Sequence, residues 1–363
     1  MIWLWLYLTI PSLNEVHKYL GWSGVAIYLG IVAAVLWLAS RFELAARFAQ
    51  HVSLRHAAWL AMATLLAVTA LFVAIYPIAQ SLTLGPGSDS DDSVNIAVTE
   101  LLHGRYPYYA HTYLHNAVHE MPGMLALSTP FVLLGNSAYM NLFWLAAFFA
   151  ILARELGDTR RALLTLWMIL ALCPAVMQQI VTGGDSLANS MFVAVSLWLL
   201  AQAKSPSSRT AAAVLLGLAL SSRANFLLVI PTAFLYVARK SGWPRAIYDL
   251  GIAGITFLAV TLPFYLHDPA QFTPLEVADR LTRFNGILPY LGETIGVAAL
   301  LLALWLGWRS DLLFPSCALV QGFFVVTGTL LSREWQYSAY GVFFLFFAML
   351  YPWKVTETAF IRR

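Results

Sequence analysis

The chain has 363 residues, 60% of them hydrophobic and only 11% charged, with a mean hydropathy of +0.72 and a formal net charge of +3. Soluble domains carry roughly 25% charged residues, so this chain expects lipid for most of its solvent, and lipid admits helices that satisfy their own backbone. The composition therefore predicts an all-α, polytopic transmembrane bundle; the absence of a basic stripe excludes a nucleic-acid partner, and Cys173 and Cys317, both in apolar runs, read as small core residues rather than a disulfide or a metal pair.

In chain order, MIWLWLYLTIPSLNEVHKYL has no basic segment ahead of its apolar residues, so it reads as an interfacial helix rich in Trp and Tyr rather than a signal peptide. Apolar runs that span, or nearly span, fall at 22–40, 57–79, 137–153, 161–181, 187–203, 210–221, 226–238, 246–266, 291–307, 312–331 and 338–352. Some are shorter than the ~20 residues a span usually needs. They predict about ten or eleven spans in one transmembrane domain, 1–363; the stretch around Ser221–Asn225 reads equally as one broken helix or two short ones.

Basic residues set the orientation. With the 41–56 loop in the cytoplasm, 15 of the 21 Lys and Arg residues fall inside and 6 outside, the outer ones being Lys18, Arg105, Arg223, Arg280, Arg283 and Arg333. The outer loops are then 80–136, 182–186 and 267–290, and the acidic residues Asp89, Asp91, Asp92, Asp185 and Asp268 all face the non-cytoplasmic side.

The first outer loop is patterned. Val94, Ala97, Val98, Leu101 and Leu102 lie on one helical face, with Asp92 placed as N-cap and Gly104 as the stop. PGMLALSTPFVLLG opens with Pro122 in a first-turn position and ends at Gly135, too short to cross. Both segments read as amphipathic helices on the membrane surface. Acidic residues suit a helix N-terminus, and capping accounts for Asp89 and Asp92. One cap does not need three carboxylates, and one of them, partly desolvated at the lipid–water boundary, has the raised proton affinity a general base requires.

The segment DDSVNIAVTELLHGRYPY resembles the first outer-loop motif of the GT-C integral-membrane glycosyltransferases: an acidic pair, a surface helix, a Leu-Leu-x-Gly-like turn, then Pro-Tyr. MPGMLALSTPFVLLG matches the Pro-Gly segment and second surface helix, TGGDSLANS the second-loop acid, and GLALSSRANFLLVIP the helix leading to a basic residue and an apolar run. The resemblance covers roughly residues 57–240, and among GT-C members the chain is most similar to small ones without a periplasmic domain that use polyprenyl-phosphate sugars.

What the resemblance implies is an inverting transfer with Asp91 as catalytic carboxylate, Asp92 its neighbour and Asp185 the second-loop acid. Arg223 takes the place of the Lys often found before the apolar run, and Arg333 in SREWQYSAY, with Tyr337, matches the late basic or aromatic patch. Arg fits phosphate by its several donors; the same residues also suit headgroup anchoring, as does Arg283, while Arg280 reads as an anchor. Asp185, where an apolar helix begins, suits a cap or substrate contact. His111, His115 and His119 recur every four residues, which in a helix aligns them; with Glu120 and Tyr108 they suit interfacial packing, then sugar or phosphate contact, then a divalent cation. No GxGxxG, P-loop or cytoplasmic DxD points to a nucleotide sugar.

The resulting expectation is a multi-pass membrane glycosyltransferase, in the inner or plasma membrane if bacterial, moving a sugar from a polyprenyl-phosphate donor to a hydroxyl of a glycan, lipid or protein. A transporter or lipid flippase is the alternative; its coupling residues belong near the midplane, not at helix ends.

Overall fold

The computed structural model describes residues 1–81, 83, 88–276, 281–332 and 335–356. Among them there are helices and no strand, only an isolated bridge between His111 and Ala117. The helices are α1 (Ile2–Thr9), α2 (Leu13–Arg41), α3 (Leu44–His51), α4 (Leu54–Ala79), α5 (Ser90–Leu102), α6 (Pro122–Leu133), α7 (Tyr139–Glu155), α8 (Thr159–Leu172), α9 (Pro174–Thr182), α10 (Asp185–Gln202), α11 (Pro206–Leu220), α12 (Val229–Ser241), α13 (Trp243–His267), α14 (Leu291–Arg309), α15 (Leu313–Ser332) and α16 (Val342–Met349).

Among the described residues five stretches are long and apolar enough to cross a bilayer: Ile2–Arg41, α4, α13, α14 and α15. The run expected at 161–181 is α8 and α9, bent by 81° at Pro174, and counts as a sixth if taken as one span. The chain is thus a multi-pass membrane protein. The remaining apolar runs are helical too but shorter or more enclosed; in α10, nearly every residue from Asp185 to Trp198 is buried by neighbouring helices. All eleven apolar runs therefore contain helices, while among the described residues five or six stretches reach a bilayer's thickness on length and composition. The ambiguous stretch around Ser221–Asn225 is two helices, α11 and α12, joined by a turn and the 3-10 segment Ala224–Leu228.

The N-terminal segment packs one face on the bundle and leaves Ile2, Trp3, Tyr19 and Trp22 exposed. Leu4, Tyr7 and Leu8 are buried, Tyr7 packs on Phe344 and Trp353, and the Trp5 indole donates to Leu29 O at 3.1 Å.

The first-loop helices are built as their local signals dictate. α5 buries Val94, Ala97 and Val98 and is followed by Gly104 at φ 72°; α6 begins with Pro122 and is followed by Gly135 at φ 117°. The two pack on each other, and α6 seats closely on α11: a Cβ at Gly123 would lie 2.1 Å from Leu218 O. The cap differs from expectation. α5 begins at Ser90, so Asp89 occupies the N-cap position and Asp91 and Asp92 lie in the first turn. Asp89 does not cap: its carboxylate accepts from Thr112 Oγ1 at 2.6 Å and Asn116 Nδ2 at 2.8 Å, holding the 112–116 turn against the helix.

Loops 80–136, 182–184 and 221–225 and the C-terminal end of α13 meet at one end of the bundle, through Gln80 with Thr182, Met121 with Ser222, and Tyr106 with Phe264. At the other end Arg160 donates to Ala49 O at 2.9 Å, Asp249 faces Arg209 and Arg245, and Arg239 pairs with Asp311.

Candidate active site

Asp91, in the first turn of α5, is 2% exposed. The Tyr76 hydroxyl, from the last turn of α4, donates to its Oδ2, and the Gln80 amide donates to Oδ1 and Oδ2 at 3.0 and 3.1 Å. Tyr76 is itself fixed by Asn136 Nδ2 at 2.6 Å. The far wall is Gly183, at φ 77°, where a Cβ would stand 3.0 Å from Asp91 Cγ, Ala138 Cβ and Tyr76 Cε2. Glycine is required there twice, for the left-handed backbone and for the space. Burial pushes the Asp91 carboxyl up to about 6, against the Tyr76 and Gln80 hydrogen bonds that favour its charge.

Two residues along α5 a second cluster begins. Ser93 Oγ donates to Glu120 Oε2 at 2.6 Å, and the His119 amide donates to the same oxygen at 3.2 Å. Glu120 is 4% exposed. Its carboxyl is pushed up to about 7, by burial first and then by the Asp185 carboxylate, with Arg223 and Ser93 opposing. Asp185, at the start of α10, forms an ion pair with Arg223 and accepts from Asn189 Nδ2 at 3.0 Å. Burial opposes the Arg223 charge, but the Asp185 and Glu120 carboxylates outweigh it and hold the guanidinium above its usual value. Its Cζ lies 5.7 Å over the Phe343 ring, and its Nε is buried without a hydrogen-bond partner.

Arg223 also forms the polar part of the wall of a cavity of about 290 Å³. Leu228, Phe284, Phe324 and Val325 make it apolar; Tyr337 and Tyr340 stand beside the cation, and Asn225 and Gln321 are joined by a 2.7 Å amide hydrogen bond. An apolar slot with a guanidinium at one point suits an anion carried on a hydrocarbon chain.

Of the residues singled out from the sequence, Asp91, Glu120, Asp185, Arg223 and Tyr337 lie at this end of the bundle. Others do different work. Asp92 is half-buried, with the Tyr113 amide 3.5 Å from its Oδ2; only its backbone, and not its side chain, bears on Asp91. Tyr108 is 1% exposed and donates to Glu120 O at 2.9 Å, so it braces the backbone and has no free face for substrate. His115 is an exposed turn residue at φ 61°, and His111, His115 and His119 follow a turn instead of a helix, so they share no face. Among the described residues no three His, Cys, Asp or Glu side chains are placed to hold one metal ion. Arg283 is exposed, and its neighbour Phe284 lines the cavity instead. Arg333 and Arg280 lie outside the described residues.

Sequence reasoning missed Tyr76, Gln80, Asn136 and Ser93, the groups that hold the two buried carboxyls. Tyr76 and Gln80, at the end of a span and four residues apart, carry the one signal that was readable. Comparison with protein-family models, with characterised proteins and with solved structures returns no match.

Proposed function

We propose that the protein is an inverting membrane glycosyltransferase of the GT-C type, moving a sugar from a polyprenyl-phosphate donor to an acceptor hydroxyl on the non-cytoplasmic face, with the inner or plasma membrane as its site in a bacterium. The observation that carries the reading is Arg223: a guanidinium with an unpartnered Nε, facing an apolar cavity, at the same end of the bundle as a desolvated carboxylate. A lipid phosphate needs both features, an apolar slot for the chain and fixed donors for the charge. The order and spacing of the GT-C-like motifs support the same reading, and the basic asymmetry of the loops supports the sidedness.

Asp91 acts as general base. An ionised carboxylate offers about four lone-pair directions, Tyr76 and Gln80 occupy most of them, and in this reading the acceptor hydroxyl takes the remaining one as substrate binding opens the buried carboxylate. The hydroxyl proton passes to Asp91 as its oxygen bonds the anomeric carbon. The bond from that carbon to the phosphate oxygen breaks, and polyprenyl phosphate leaves with its charge met by Arg223; the GT-C resemblance offers Arg333 as a further donor. One displacement inverts the centre, and no covalent enzyme intermediate forms. The acceptor is a glycan, lipid or protein hydroxyl.

The test is release of polyprenyl phosphate by purified protein given a panel of polyprenyl-phosphate hexoses and pentoses with membrane-extract acceptors. Asp91-dependent release is expected. If no donor is turned over, while an ion gradient drives solute or lipid movement in vesicles, the carrier reading replaces this one.

A further inference from the structure

The Met121 amide donates to Ser222 O at 3.4 Å, which sets Glu120 beside Arg223, and Arg223 forms its ion pair with Asp185, so one cation has two acids near it. With both acids ionised the cluster carries a surplus negative charge in a buried place, and an arriving phosphate adds more. Like charges so confined cannot all remain ionised. The two acids are not equivalent. Asp185 is in direct ion-pair contact with Arg223, whereas the hydrogen bonds to the Glu120 carboxylate come from Ser93 Oγ and the His119 amide, both neutral donors. The other titratable groups near Glu120 in the chain or in space are Tyr108, which donates to its backbone carbonyl, the adjacent His119, and Asp91 two residues before Ser93; Tyr340 lines the same cavity as Arg223. Tyr108, Tyr340 and Asp91 are acids and cannot balance Glu120; His119 can carry a positive charge, and a pH dependence that survives Glu120→Gln would be its signature.

We infer that Glu120 is a proton-linked positioning residue for the anion site: it takes a proton from solvent as a phosphate-bearing lipid docks on Arg223, so that the guanidinium answers to one carboxylate instead of two. Glu120 never touches the reacting atoms; it sets how much of the Arg223 charge is available to the ligand. Its carboxyl, pushed up to about 7 by burial, titrates where this exchange is useful. The inference rests on the lipid-phosphate reading of the cavity.

The experiment measures binding of a polyprenyl phosphate to the full chain in detergent or nanodiscs between pH 6 and pH 8.5. The ligand's own second ionisation, near pH 6, is common to all variants. Wild-type affinity should weaken about tenfold across the range relative to Glu120→Gln, whose affinity follows the ligand's ionisation alone. Glu120→Asp should restore the pH dependence with a displaced midpoint, which a purely structural role does not predict. Ser93→Ala removes a donor that favours the ionised form, so its midpoint should move to higher pH; this variant decides the matter if Glu120→Gln does not fold. A Glu120→Gln protein that folds and keeps the wild-type pH dependence overturns the inference and leaves the proposed function standing. Wild type that binds no polyprenyl phosphate at any pH overturns both.

Discussion

Arg223 pairs with Asp185 and also lines the apolar cavity, and its Nε is buried without a hydrogen-bond partner. Position 223 is held by the turn between α11 and the 3-10 segment, while Asp185 starts α10, so the pair also ties two helices together.

Loss of either partner should therefore be costly in two ways. Breaking a buried ion pair by removing one member typically costs about 3–5 kcal/mol, and Arg223→Gln should approach the lower figure because its side chain keeps some solvent contact. Thermal unfolding in detergent measures this. Arg223→Lys should retain the fold but lose at least about tenfold in turnover, ~1.4 kcal/mol, since charge returns without the fork. Equal turnover in wild type, Lys and Gln variants would leave Arg223 a structural tie.

Asp91→Asn should abolish turnover while the protein folds and inserts. In wild type, kcat/KM should fall as the pH drops through about 6, because the ionised carboxylate is the proton acceptor and burial has raised its proton affinity to that range. Stability carries the opposite sign. A carboxyl bound more tightly to its proton in the folded state contributes most stability at low pH and loses it as pH rises from its unfolded value toward about 6. Asp91→Asn should accordingly be no less stable than wild type at pH 8. A pH-independent rate between 5 and 7 would remove Asp91 as the base.

Tyr76→Phe deletes a donor that favours the Asp91 charge. The acidic limb of the pH–rate profile should shift upward, and stability should fall by about 1 kcal/mol for one lost hydrogen bond. An unmoved limb would mean that Tyr76 is not what tunes Asp91.

Gly183→Ala tests the wall. A left-handed backbone costs a non-glycine residue roughly 1–2 kcal/mol, and the added methyl has neighbours at 3.0 Å on three sides, Asp91 among them. Both melting temperature and turnover should drop; retained turnover with a lowered melting temperature would show that the base tolerates displacement.

Asp92→Asn should change stability by less than about 0.5 kcal/mol, since the Asp92 side chain is neither the cap nor a partner of Asp91. Asp89→Ala should cost more, about 1–2 kcal/mol, as Thr112 and Asn116 lose their acceptor. Chemical denaturation of the three proteins side by side gives the comparison.

What was legible in the sequence is what local chemistry enforces. The apolar face Val94, Ala97 and Val98, the stop at Gly104, the start at Pro122 and the apolar runs themselves depend on residues within a turn or two of one another, and a helix satisfies its backbone internally whatever surrounds it. The acids at positions 91 and 185 stood out because charge is rare in such a chain. The tertiary structure alone decided which of them share a site. Gln80 and Tyr76 reach Asp91 from another helix, Gly183 closes on it from a distant loop, Ser93 finds Glu120 across the first loop, and Arg223 meets Asp185 between α10 and the turn after α11. A buried charge takes its properties from whatever the packing brings within a few ångströms, and no periodicity along the chain records that. The same reason separates Tyr108, sealed behind Glu120, from Tyr337 on the cavity wall: both are tyrosines near outer helix ends, and only packing tells a brace from a surface.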